Sequence, residues 1–123
     1  MTNKDTNLFD LQVDNAINLQ RNGEFENARL IYEKLLNKGI NKFKILFLLG
    51  TLEAQCHNFS KAINFLLKAN KLNPYSWEIS YNLGNVYTEI NEFNNAIKFY
   101  NQSIKINSSN SKLFYYRGAA YNR

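Results

Sequence analysis

Cys56 and His57 are the chain's one cysteine and one histidine, and they stand side by side. A thiolate–imidazole pair draws its two groups from separate parts of a fold, so adjacency in sequence argues against nucleophilic catalysis. The pair reads instead as a half-buried thiol at a helix end beside an exposed imidazole. The carboxylates do no better. Glu24 with Glu26, and Glu89 with Glu92, fall near turns, where an acid supports the N-terminus of the next helix through its dipole. Metal spacing of the His–Cys or clustered-carboxylate kind is missing from the sequence. The expectation is a chain with no catalytic residue, no metal and no cofactor. It is not an enzyme in itself.

What remains is surface, and the elements that present it follow from a repeat. Leu83-Gly84, Phe93, Ala96-Ile97 and Tyr100 recur 34 residues earlier as Leu49-Gly50, Phe59, Ala62-Ile63 and Leu66. One more step back gives Phe25, Ala28 and Tyr32, with Ala16 in the glycine's place; one step forward gives Gly118, three residues before Tyr121. Each unit reads as two amphipathic helices and a turn, and such a fixed period marks a stacked array. Asn22-Gly23, His57-Asn58 and Asn91-Glu92 break the units in the middle. Gly39 and Asn73-Pro74 end second helices, the proline because it lacks an N–H and clashes with the preceding turn. Asn41 and Ser76 are expected to cap the helices that follow them.

These residues resemble the tetratricopeptide repeat family, whose unit carries a large residue, Leu-Gly, an aromatic, a small Ala, an aromatic, a small residue and a Pro at set offsets. In the second unit these fall on Leu46, Leu49, Gly50, Glu53, Ala62, Leu66, Ala69 and Pro74. In the third they fall on Ser80, Leu83, Gly84, Tyr87, Ala96, Tyr100, Ser103 and Ser108. Glu53 for an aromatic, Ser80 for a large residue, and Ile40 or Ser108 for Pro are departures that remove no helix. The resemblance implies an all-α fold: a right-handed α-α superhelix of seven helices, with three full repeats and the first helix of a fourth. The expected division is a disordered tail at 1–7 and a repeat domain at 8–123. Its units run over about 9–42, 43–76 and 77–110, with a partial unit at 111–123. Gly50, Gly84 and Gly118 are expected to let the paired helices of their units approach closely.

The 123 residues are one domain's worth, and 45% hydrophobic content supplies a core. No apolar run reaches the roughly 18 residues that suggest a membrane span, and residues 1–7 are too polar for a signal peptide. A lone cysteine permits no internal disulfide, so a cytoplasmic, reducing setting is expected. The net charge is +5, but Lys61, Lys68, Lys71, Lys98 and Lys105 share the outer face of second helices, without interleaved aromatics. No nucleic acid partner and no membrane are expected.

Numbering each unit from slot 1 at residues 9, 43, 77 and 111, the core of each first helix is expected at slots 4, 7, 8 and 11. Slots 2, 5, 6, 9 and 12 then lie opposite, and the resemblance implies that they face a concave groove. The candidate groove residues are Phe47, Thr51, Glu78, Tyr81, Asn82, Asn85, Tyr115 and Tyr116. Phe47, Tyr81 and Tyr115 form an aromatic column, and Asn82 and Asn85 add amides that can donate to and accept from a peptide backbone. Repeats that clamp a C-terminal carboxylate use Lys and Asn where this chain has Val13 and Ile17, so that ligand is not expected. The reading is a scaffold that binds a peptide or protein segment, as part of a longer protein. The alternative follows from Tyr81-Asn82-Leu83-Gly84-Asn85, which resembles repeats preceding glycosyltransferase domains of the O-linked N-acetylglucosamine transferase type; the chain would then present substrates to a catalytic domain beyond residue 123. The aromatic helix 111–123, left open, is expected to offer a self-association surface.

Overall fold

The computed structural model describes residues 2–123. Its regular elements are helices: α1 (Asn3–Arg21), α2 (Phe25–Lys38), α3 (Lys42–Gln55), α4 (Phe59–Leu72), α5 (Trp77–Glu89), α6 (Phe93–Ile106) and α7 (Ser111–Tyr121). Packing runs chiefly between consecutive helices. The seven helices form three antiparallel pairs and one unpaired helix, in the right-handed superhelix of the repeat pattern.

The sequence of α3 shows why the units must stack. Ile45, Leu49 and Leu52 recur at i, i+4 and i+7, so they share one stripe. That stripe joins Phe9, Val13, Ala16, Ala28, Tyr32 and Leu35 of the first unit in a single core. Leu46, on the neighbouring stripe, belongs instead to a second core with Ala62, Leu66 and Ala69, which Ile79, Leu83 and Val86 of α5 complete. α3 and α5 therefore turn slots 3, 7 and 10 to the preceding unit, and α3 turns slot 4, and both turn slot 8, to their own second helices. Slots 3 and 10 were not among the expected core slots. Stacking buries them, since a stripe left dry by its own unit is covered by the unit before.

The glycine pattern follows from the same packing. A Cβ on Gly50 would stand 2.6 Å from Cγ of Leu66, and one on Gly84 would stand 2.5 Å from Cε1 of Tyr100. These two glycines set the separation of their helix pairs. Gly118 differs from the expectation: a Cβ there meets nothing within 4 Å, because no helix of this chain covers its side of α7. The mid-unit turns are equally regular. Gly23, His57 and Asn91 all occupy slot 15 with φ of 81°, 63° and 63°. This left-handed conformation suits glycine and asparagine better than histidine.

The helix starts bring corrections. α1 begins at Asn3 and not at Leu8, so the expected tail is helical from residue 3, while Met1 lies outside the described residues. Thr2 and Asp5 nucleate that extra turn reciprocally. The Thr2 hydroxyl accepts from the Asp5 amide at 3.2 Å, and the Asp5 carboxylate accepts from the Thr2 amide at 3.3 Å. The Thr2 hydroxyl also donates to that carboxylate at 2.8 Å, and this bond, followed by the one from the Thr2 amide, lowers the Asp5 carboxyl below its ordinary pKa. Asn41 and Ser76 precede their helices as expected, but neither caps through its side chain. Asn41 is held at a φ of 43°, and the Ser76 hydroxyl donates to Glu78 at 2.9 Å. Asn110 does cap, its Oδ1 accepting from the Lys112 amide at 3.1 Å.

Candidate interaction groove

The slots turned away from each unit's own second helix line two adjoining concavities. The first, of about 370 Å³, is lined by Gln20, Thr51, Ala54, Gln55, Leu66, Asn82, Asn85 and Val86, so it runs across α1, α3 and α5. The second, of about 430 Å³, is lined by Asn85, Thr88, Glu89, Tyr100, Tyr115, Tyr116, Ala119 and Arg123. Asn85 belongs to both. Five of the eight residues singled out in the sequence (Thr51, Asn82, Asn85, Tyr115 and Tyr116) are thus brought to one continuous surface. A further concavity of about 420 Å³ lies between α1 and α2 around Ile31, Lys34 and Leu35. It holds none of the groove residues.

The other three behave differently. Phe47 packs against the second core and is half-buried. Glu78 is exposed and takes the Ser76 hydrogen bond. Tyr81 is wedged among aromatic rings, 6.2 Å from Trp77, 6.3 Å from Tyr100 and 5.7 Å from Tyr116 between centroids. The expected column of Phe47, Tyr81 and Tyr115 does not form as stacked neighbours. Tyr116, at the next slot, makes the contact with Tyr81 instead. Tyr115 is 72% exposed and touches Tyr116 edge-on, with centroids 5.3 Å apart. The Lys112 ammonium lies 5.2 Å from the Tyr81 ring and 5.9 Å from the Tyr116 ring. This cation–π pairing fixes the rim of the second concavity.

The amides divide by what they already hold. Asn85 Oδ1 accepts a 2.6 Å hydrogen bond from the Tyr100 hydroxyl. Burial pushes that phenol up to about 12, so it stays a neutral donor at physiological pH. Asn82, half-exposed, has no side-chain hydrogen bond among the described residues. Its donors and acceptor are free for a ligand. Gln20 and Gln55 complete the amide row and were not picked out in the sequence. Gln20 accepts from the Tyr32 hydroxyl at 2.8 Å and donates to Gln55 Oε1. Gln20 occupies slot 12 of the first unit, so carrying the groove slots back into that unit would have found it.

Glu53 is the larger surprise. The aromatic expected at its slot is replaced by a carboxylate only 2% exposed, held by residues from both sides of a unit boundary. Arg29 Nη2 donates to its Oε1 at 2.7 Å and Arg29 Nε lies 3.4 Å from Oε2, while Asn58 Nδ2 donates at 3.1 Å. Burial alone would raise this carboxyl, but the bonds from Arg29 and Asn58 outweigh it and hold the pKa below the ordinary value. The same bond raises Arg29. Arg29 also pairs with Glu26. Cys56 lies at this lock, its Sγ 3.6 Å from Arg29 Nη2. His57 is an exposed turn residue whose ring stands 5.6 Å from Phe59. No group of three or more His, Cys, Asp or Glu side chains among the described residues is placed to hold a metal ion.

Residues 77–110 match the family model of the tetratricopeptide repeat. A search of curated proteins matches nothing to this sequence. Solved structures similar to the chain include MamA, at 27% identity and a TM-score of 0.81, over 87% of this chain and 63% of that one. MamA from Desulfovibrio magneticus RS-1 is similar at 21% identity and a TM-score of 0.84, over 93% of this chain and 64% of that one. The O-GlcNAc transferase of Thermobaculum terrenum is similar at 23% identity and a TM-score of 0.86, over 98% of this chain but 23% of the transferase. The chain thus spans less than two thirds of the MamA chains and about a quarter of the transferase. Residues 77–110 are a tetratricopeptide repeat, and the chain as a whole has the fold of a tetratricopeptide solenoid. No helix among the described residues is long and apolar enough to cross a membrane.

Proposed function

We propose that this chain is a protein-interaction scaffold whose concave face binds an extended peptide segment. The observation that carries the reading is the row Gln20, Thr51, Gln55, Asn82 and Asn85 along one concavity that crosses three first helices. Neutral amides there supply donors and acceptors to a peptide backbone without the desolvation cost of a charge. Beyond Asn85 the row opens onto Tyr115 and Tyr116, which give contact area at small entropic cost. The single cysteine supports a reducing, cytoplasmic setting. In the same reading α7 serves as an association surface.

The test begins with peptides selected from a random phage-displayed library and then titrated calorimetrically. Asn82→Ala is the informative variant, because Asn82 holds no internal bond. Asn85→Ala and Tyr81→Ala also loosen the Tyr100 cluster and confound binding with folding. Asn82→Ala should weaken binding about tenfold, equivalent to ~1.4 kcal/mol, with helicity unchanged. Peptides that respond to Lys61→Ala or Lys98→Ala on the outer face, and not to Asn82→Ala, would overturn the groove reading.

A second reading, the substrate-presenting arm of a glycosyltransferase, is supported by the likeness to the Thermobaculum O-GlcNAc transferase over 98% of this chain. In that case the chain fused to such a catalytic domain should alter which protein substrates are modified. An unchanged substrate range without these residues would remove it.

A further inference from the structure

We propose that the rim of the stack where the second helices end is a docking surface for an anionic lipid bilayer. No membrane is expected from the lysines on the outer faces of those helices. The rim is a different surface, assembled only by the pairing.

Helices α2 to α6 are each 13 or 14 residues long. Antiparallel pairing of elements so alike in length brings the ends of α2, α4 and α6 and the starts of α3, α5 and α7 to one edge. Large apolar side chains stand out of that edge. Leu72 and Ile106 are the last residues of α4 and α6, at slot 30 of successive units, and are 55% and 36% exposed. Tyr75, in the turn from α4 to α5, is 81% exposed, and half-buried Trp77 opens α5. The turn is fixed: the Tyr75 amide donates to Asn73 Oδ1 at 3.1 Å, and Gln102 of α6 donates to Asn70 of α4 at 2.9 Å. Leu72 and Tyr75 lie between the second and third units, with a complete unit on each side, so stacking leaves this place uncovered. The first unit puts Lys38 at the same slot 30.

Lysines surround these side chains. Residues 66–76 and 100–110 carry Lys68, Lys71 and Lys105 and no acid, and 32–42 carries Lys34, Lys38 and Lys42 against Glu33. The first turns that follow add Lys44, Glu78 and Lys112, while Lys4, Asp5 and Asp10 of α1 almost cancel. At the opposite edge, Glu24, Glu26, Glu89 and Glu92 stand against Arg21, Lys61 and Arg123. The stack is therefore polarised across its width. A lysine in a last turn complements the helix dipole, which accounts for Lys38, Lys71 and Lys105. It does not account for Lys42 and Lys44, in a first turn of α3 that holds no acid, nor for the exposed leucine and isoleucine.

Charge calls for an anionic partner, and the side chains between the lysines choose the kind. Aliphatic groups at helix ends enter the acyl boundary, while Tyr75 and Trp77 suit headgroup depth and the lysines meet the headgroups. A nucleic acid would favour the arginine fork and open aromatic platforms, whereas this rim offers lysine and aliphatic groups. Asn82 and Asn85 lie further along α5, so a bilayer on the rim leaves the groove open to a peptide.

Flotation of the 123-residue chain with vesicles of phosphatidylcholine and phosphatidylserine reads binding, and the emission of Trp77, the single tryptophan, reads insertion. The chain should float with these vesicles and not with pure phosphatidylcholine, less so at high salt, and the Trp77 emission should shift to the blue. Lys71→Gln with Lys105→Gln should weaken binding roughly 25-fold, about fivefold per lysine. Lys61→Gln with Lys98→Gln removes the same charge about 12 Å or more along the helices from the rim, beyond a Debye length, and should weaken it less than about twofold. Leu72→Ser with Tyr75→Ser should weaken it about tenfold and abolish the blue shift, with helicity unchanged. Equal losses from the two lysine pairs would mean diffuse attraction by net charge and overturn the rim. Binding indifferent to Leu72→Ser with Tyr75→Ser would overturn insertion. Binding to polyglutamate and not to vesicles would make an acidic polypeptide the occupant, and binding to neither would leave the rim a solvated edge; both overturn the proposal.

Discussion

Replacing Arg29 by methionine strands the Glu53 carboxylate inside the boundary between the first and second units. The wild-type carboxylate is held by two Arg29 nitrogens and by Asn58 at distances of 2.7–3.4 Å; the variant leaves Asn58 alone. Breaking a buried pair from one side costs about 3–5 kcal/mol. A chain of this length has roughly 6–18 kcal/mol in total, at ~0.05–0.15 kcal/mol per residue. The loss is therefore a large share of the whole. With a urea slope of ~2 kcal/mol/M, the unfolding midpoint should fall by about 2 M.

The pH dependence gives the mechanism away. In the wild type Glu53 is lowered from its ordinary 4.5, so its contribution is present above that value and lost as pH falls through the lower folded value. Without Arg29, only the Asn58 bond and the Lys61 charge oppose burial, which is the largest influence, and the carboxyl rises. The variant then gains relative stability as pH falls from neutral toward 4.5 and Glu53 takes up a proton. The gap between variant and wild type should narrow over that window, followed by circular dichroism in urea. Replacing both partners, Arg29→Met with Glu53→Met, should recover most of the loss, because an apolar pair of similar volume leaves nothing stranded. A single variant costing under about 1 kcal/mol, or a double variant as weak as the single, would refute the assignment.

Four further substitutions test the spacing of the helix pairs and the turns. Gly84→Ala should lower the melting temperature by several degrees, since overpacking costs ~1–3 kcal/mol and Tyr100 is pinned by Asn85. Gly118→Ala should instead raise it, by up to about 1 kcal/mol of helix propensity, because the space there is open. His57→Gly should stabilise by about 1 kcal/mol through relief of its left-handed conformation, whereas Asn91→Gly gains less. Thermal melts of the four variants check all of this together.

The fold was legible because the repeat states each instruction several times. One Leu-Gly proves little, but Leu49-Gly50 and Leu83-Gly84 in register with Phe59 and Phe93 fix helix, turn and closeness at once. The misses share a cause, which is that they depend on what lies next to a unit and not on the unit itself. Slots 3 and 10 are buried only because a neighbour covers them, and Glu53 departs from pattern only until Arg29 of the preceding unit is beside it. A pairwise instruction of this kind appears once in the chain, so no periodicity can average it into view.

The groove was read less well for a related reason. Slot numbers group Thr51, Asn82 and Asn85, which line one concavity. They could not say that Asn85 is spent on Tyr100 while Asn82 is free, nor that Tyr81 meets Tyr116 and not Tyr115. Those outcomes turn on a hydroxyl 2.6 Å away and on ring centroids 5.7 Å apart, which are set by α6 and α7 meeting α5. The same argument makes α7 the most informative helix of the chain. Its inner slots, Leu113 and Ala120, are buried as in any interior unit, while Phe114, Gly118 and Tyr121 carry the pattern of a helix pair without the pair.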